Sequence, residues 1–182
     1  MFKEYQRLGD ILVRKGLLNE DRLNQALTAQ ASCNSRLGEI LSAMGWLSEE
    51  DLARALAEQY DYDYVEVEDL EADPEALKLV TGRWSLAKLI LPYSFTDGRL
   101  DVVIADPIDV ESTDELRART GAPLKFSIAR ASALRNMIIR SYTLETETAP
   151  KKKFLKRRIK VDHQVDKSAL LNALDRLMRG AA

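Results

Sequence analysis

Apolar positions in the first sixty residues recur at the three-to-four-residue spacing of amphipathic helices, and the whole pattern occurs twice. Leu8, Ile11 and Leu12 share one helical face; Gly16 suits a helix stop, and Asn19 is a good N-cap for the next helix. Leu23, Ala26, Leu27 and Gln30 then follow at i, i+3, i+4 and i+7. Shifted by 29 residues, Arg7 to Gln30 lies over Arg36 to Gln59 with twelve of twenty-four positions identical. Chance does not produce that degree of self-similarity. Ser48 stands where Asn19 stood, and Ser48-Glu49-Glu50-Asp51 approximates a capping box. Ala31 to Ser35 is a connection long enough to turn the chain back. Each copy predicts a helical hairpin, and two hairpins predict a small bundle.

From Tyr60 the periods shorten. Tyr62 to Val67 reads as a strand and Pro74 to Val80 as a helix. Ile90 to Phe95 and Leu100 to Ala105 read as a hairpin around Asp97-Gly98. Asp109 to Arg119 predicts a helix stopped near Gly121, Leu124 to Ser127 a strand, and Ser132 to Tyr142 a further helix. After the mostly polar stretch Thr143 to Pro150 comes KKKFLKRRIK, with seven cations in ten residues. Leu170, Leu171, Leu174, Leu177 and Met178 then form an apolar stripe behind an Asp166 N-cap, with Gly180 as the stop. The expected fold class is α+β: a tandem helical-hairpin bundle over residues 1–59 packed with a small α/β subdomain over 60–142, and a basic linker with a C-terminal amphipathic helix over 143–182.

Charge changes the picture. The formal net charge is −2, but residues 1–150 carry 17 Lys+Arg against 26 Asp+Glu, while residues 151–182 carry 10 against 3. An acidic body repels a nucleic-acid backbone, so duplex DNA is not an expected partner, and the LSEEDLARALAEQ helix is too acidic for a DNA reader. The basic run reads as a solvated linker, with a membrane surface or polyanion as the alternative. The stripe at 166–179 seeks a surface: the chain's own body, a second copy or another protein. One cysteine, Cys33, permits no internal disulfide, which points to a reducing compartment, and no run is apolar enough for a membrane span. The expected location is the cytoplasm, with peripheral inner-membrane association through a partner.

Packing accounts for the repeated leucines and glycines. It does not account for Arg7/Arg36 and Gln30/Gln59, duplicated polar residues that border an apolar face and suggest equivalent half-sites for a ligand that is itself nearly two-fold.

The pattern RLGxxLxxxGxLxxxxLxxALxxQ, present twice across a five-residue spacer, resembles the MshEN domain at the N-terminus of type II secretion and type IV pilus assembly ATPases. The resemblance continues to about Tyr142 and includes Ala105-Asp106-Pro107. It implies binding of cyclic di-GMP, and a secretion, pilus or glycosyltransferase component as partner. Carried over position by position, it assigns Arg7, Leu8, Gly9 and Gln30 to one half of the ligand and Arg36, Leu37, Gly38 and Gln59 to the other, over a floor of Leu12, Leu27, Leu41 and Leu56. Arginine pairs bidentately with guanine O6/N7 or phosphate, glutamine donates and accepts, the Leu-Gly step brings backbone close, and leucines meet the flat base faces. Asp106 accepts from guanine N1/N2, orients a motif arginine, or simply makes the turn before Pro107. The chain departs from the family at Tyr5, where a basic residue is common: either a contact is lost there, or stacking of the phenol on a base replaces it.

Catalytic residues, a metal site and a cofactor are not expected. No GxxxxGK[ST] occurs, His163 is the sole histidine, and Cys33 has no histidine near it in sequence. A second-messenger receptor acting through a partner is therefore the first reading. A ligand-free adaptor that docks on a secretion or pilus component is the second.

Overall fold

The structure is a computed structural model that describes residues 6–33 and 35–142. Tyr5, the basic run, His163 and the stripe at 166–179 lie outside the described residues. Two units divide the described residues, the first ending at Ala55 and the second beginning at Leu56.

The repeat folds as α1 (Leu8–Arg14), α2 (Glu20–Ser32), α3 (Leu37–Ala43) and α4 (Glu49–Tyr60). Both short helices end the same way. Gly16 and Gly45 sit at φ +69° and +68°, where a side chain would strain the backbone, and their N–H groups donate to the Val13 and Ser42 carbonyls at 2.9 and 3.0 Å. The longer helices start on the expected caps. Asn19 accepts from the Arg22 N–H at 2.9 Å, and Ser48 accepts from the Asp51 N–H at 3.0 Å. The first core gathers Ile11, Leu12, Leu18, Ala26, Ala29, Ile40, Leu41, Leu47 and Ala55, with α1 packed on α2 and α3 and α2 packed on α3. Arg22 of α2 stacks over the Trp46 ring at 5.5 Å, joining the first copy to the turn of the second.

In the second unit β1 (Asp63–Tyr64), β2 (Ile90–Thr96), β3 (Arg99–Ile104) and β4 (Leu124–Ile128) form a mixed sheet in the order β1-β4-β3-β2. β2 and β3 are the expected antiparallel hairpin, turning through Asp97 and Gly98 at φ +52° and +73°. β3 leads through α7 (Val110–Thr120) to the parallel β4, and β1 pairs parallel on its far side. Asp109 caps α7, accepting from the Ser112 N–H at 3.1 Å. α7 covers one face, where Arg117 lies 5.6 Å from the Phe126 ring centroid. The other face holds Leu91 and Val103 against Leu134, Met137 and Ile138 of α8 (Ala131–Ser141).

Three sequence expectations need correcting. The strand expected over Tyr62 to Val67 pairs only at Asp63–Tyr64, because Val67 leaves the sheet edge, opens a 3-10 turn (Val67–Asp69) and is fully buried in the second core. The helix expected to reach Val80 is the single turn α5 (Pro74–Leu77). A helix not expected, α6 (Gly82–Lys88), starts on Thr81, whose hydroxyl accepts from the Trp84 N–H at 3.3 Å. α6 and α7 meet where the Trp84 indole N–H donates to Glu115 at 3.0 Å, with Arg119 on the same carboxylate. Those two partners hold the Glu115 carboxyl below the usual carboxylate range.

Candidate functional site

Arg7 and Arg36 are the N-cap residues of α1 and α3, with nearly identical extended backbone at φ/ψ −76°/148° and −78°/150°. An arginine side chain has no acceptor, so neither guanidinium serves as a helix cap. The two differ in surroundings. Arg7 is exposed, and no ion pair of its guanidinium falls among the described residues. Arg36 is half-buried, and its backbone N–H donates to the Glu39 carboxylate at 3.0 Å. Sequence reasoning missed Glu39; the Arg-x-x-Glu spacing at a helix start is the signal that finds it. The first copy has the shorter Asp10 at that place.

Gln30 does not end α2 idly. Its amide donates to the Ser35 carbonyl at 3.1 Å, so the carboxamide of the first copy fastens the spacer one residue before the arginine of the second. The amide oxygen is the acceptor of that side chain. Gln59 is half-buried on α4. Leu8 and Leu37 are partly buried against the first core, and Leu27 keeps 44% of its surface exposed.

Leu12 and Leu41 cannot be ligand floor in this structure. Each is 0% exposed inside the first core, so packing has consumed the apolar surface that the stripe offered. Leu56 is also buried. The Leu-Gly steps have a packing role of their own. Gly9 and Gly38 are buried, and a Cβ added there would meet the side chains of Leu23 at 2.9 Å and Leu52 at 2.8 Å. Their missing side chains admit a leucine of the next helix, which explains both glycines without a ligand. Asp106 has a turn role of its own: its carboxylate accepts from the Ile108 N–H at 2.9 Å, fixing the step after β3.

Within the first unit the fold brings Arg7, Leu8, Leu27, Gln30, Arg36 and Leu37 into one small bundle. Leu56, Gln59 and Asp106 belong to the second unit. An open groove on the first unit is lined by Asp10, Val13, Arg14, Glu20, Leu23 and Asn24, none of them an expected site residue. Among the described residues, no cluster of His, Cys, Asp and Glu could hold a metal ion, and no helix is long and apolar enough to cross a membrane.

Comparison with known proteins adds an independent line. Residues 60–148 match the MshEN domain family, a span that begins after the repeats. The type IV pilus assembly ATPase PilB of Myxococcus xanthus is 27% identical over 136 residues, 75% of this chain and 24% of that protein. The PilB of Thermus thermophilus is 32% identical over 170 residues, 93% of this chain and 18% of that protein. The chain thus spans about a quarter or less of the curated relatives it matches. Among solved structures, MshE with cdg superposes with a TM-score of 0.69 at 30% identity, over 75% of this chain and 99% of that one. The N-terminal domain of XpsE superposes with a TM-score of 0.63 at 27% identity, over 78% and 99%.

Proposed function

The chain belongs to the MshEN family, and from that premise we propose that it is a cyclic di-GMP-binding regulatory domain, acting in the cytoplasm on a pilus or secretion component. The observation that carries the reading is the repetition of backbone geometry together with residue type. Two arginines stand at equivalent helix starts on helices that pack on each other, an arrangement suited to a ligand with two equivalent guanines. Arg7 and Arg36 are assigned to guanine or phosphate, and Leu8, Leu27 and Leu37 to base faces. Gln30 and Gln59 supply polar contacts, and Asp106 supplies an acceptor. Binding, not turnover, is the activity assigned to these residues.

The test is calorimetric titration with cyclic di-GMP, with GTP as the control. A bidentate guanine contact worth about 1–3 kcal/mol predicts that Arg7→Ala or Arg36→Ala weakens binding by roughly 5- to 150-fold without unfolding the domain. The ligand-free adaptor has one observation in its favour. Leu12, Leu41, Gly9 and Gly38 are all explained by packing, so part of the motif survives without a nucleotide. A pull-down of a pilus component that ignores both cyclic di-GMP and the arginine substitutions supports the adaptor; one that responds to them supports the receptor.

A further inference from the structure

The second unit carries a shallow groove, near 420 Å³, at the C-terminal end of α8. Leu70, Leu77 and Met137 give it an apolar floor, and Glu68 and Glu71 an acidic wall. These acids belong to a run of six carboxylates in ten residues, from Glu66 to Glu75. Arg130 engages Glu66 at 3.5 Å and Glu68 at 2.8 Å, and Lys78 engages Glu75 at 2.5 Å. Among the described residues, no ion pair involves Asp69 or Glu71, and both are exposed. Arg140 also borders the groove, but its guanidinium is turned onto the Met137 sulfur at 3.6 Å.

We propose that this groove is the docking site of the chain's own basic segment, residues 151–160. Three observations select that occupant. The described chain ends at Tyr142, one residue past Ser141 of the groove wall, and Lys151 follows nine positions later. Nine residues reach up to about 30 Å, and a tether that short holds its segment near millimolar effective concentration. Seven cations match the carboxylate run, and Phe154, Leu155 and Ile159 match the apolar floor. Docking there would shield the basic run from anionic surfaces, so this proposal stands apart from the nucleotide reading.

The test uses the full chain. Zero-length carbodiimide cross-linking with peptide mapping should join lysines of 151–160 to Glu68, Asp69 or Glu71, within the monomer, at a yield independent of protein concentration and reduced in 1 M salt. The triple substitution Glu68→Gln, Asp69→Asn, Glu71→Gln, at exposed positions, should speed tryptic cleavage inside 151–160 by roughly fivefold or more, with the far-UV spectrum unchanged. It should also raise binding to vesicles containing anionic phosphatidylglycerol. Cross-links mainly to other carboxylates, cross-links that grow with protein concentration and mark a second copy, or cleavage and vesicle binding unchanged by the substitutions would overturn the proposal.

Discussion

The two copies of the repeat differ where they meet their surroundings and agree where they pack. Gly16 and Gly45 agree within one degree of φ, and the gaps from Gly9 to Leu23 and from Gly38 to Leu52 agree within a tenth of an ångström. Leu12 and Leu41 are equally and completely buried. The polar and rim positions diverge. Arg7 is exposed while Arg36 is half-buried beside Glu39, and Leu27 is 44% exposed while Leu56 is 8% exposed. Duplication has therefore preserved a hairpin-folding code, and what each copy offers a ligand is set separately by its neighbours.

Core substitutions test the agreement most forcefully. Leu12→Ala and Leu41→Ala should each cost about 2–5 kcal/mol in urea unfolding, by nearly equal amounts, since each empties a fully buried site. A difference of several kcal/mol between them would break the equivalence of the copies. Gly16→Ala and Gly45→Ala come next. Forcing a Cβ into the left-handed region should cost roughly 1–2 kcal/mol at both. The caps Asn19→Ala and Ser48→Ala should follow at about 1 kcal/mol, sharpening the comparison if the asparagine and serine copies lose alike.

The smallest effect lies outside both copies and serves as their control. Because the Trp84 indole and Arg119 depress the Glu115 pKa in the folded state, Glu115 stabilises above the unfolded carboxylate range and loses that contribution as pH falls through its folded value. Glu115→Gln should therefore lower the melting temperature slightly at pH 7, by an amount that shrinks as pH falls through the acid range. Trp84→Phe should move the Glu115 titration, followed by carboxyl-detected NMR, back toward the ordinary range.

Elements whose starts and stops are local chemistry are legible from residues alone. Asn19, Ser48 and Asp109 start helices, Gly16, Gly45 and Gly121 stop them, and Asp97-Gly98 turns the hairpin. What escapes depends on tertiary surroundings. α6 is seven residues long with few turns to show a period, and it ends on Leu89 in the left-handed region, a stop that no glycine announces. Val67 looks like the next residue of a strand, and burial in the core takes it out of the ladder. The candidate site divides in the same way. Arginine and glutamine stand out because they recur at one offset at a helix start and a stripe's end, and the spacer contact that Gln30 also makes is a tertiary detail the sequence does not show. Leu12 and Leu41 fall on the expected ligand side because periodicity identifies an apolar stripe and cannot say which part of it a neighbouring helix covers.

Titration of cyclic di-GMP into the intact chain, repeated on Arg7→Ala, Arg36→Ala and the double variant, bears most directly on whether two half-sites serve one nucleotide. One ligand bound per chain, with each single substitution weakening it and the double abolishing saturation, is the expected outcome. Two independent ligands per chain, or wild-type affinity retained by both single variants, would contradict it.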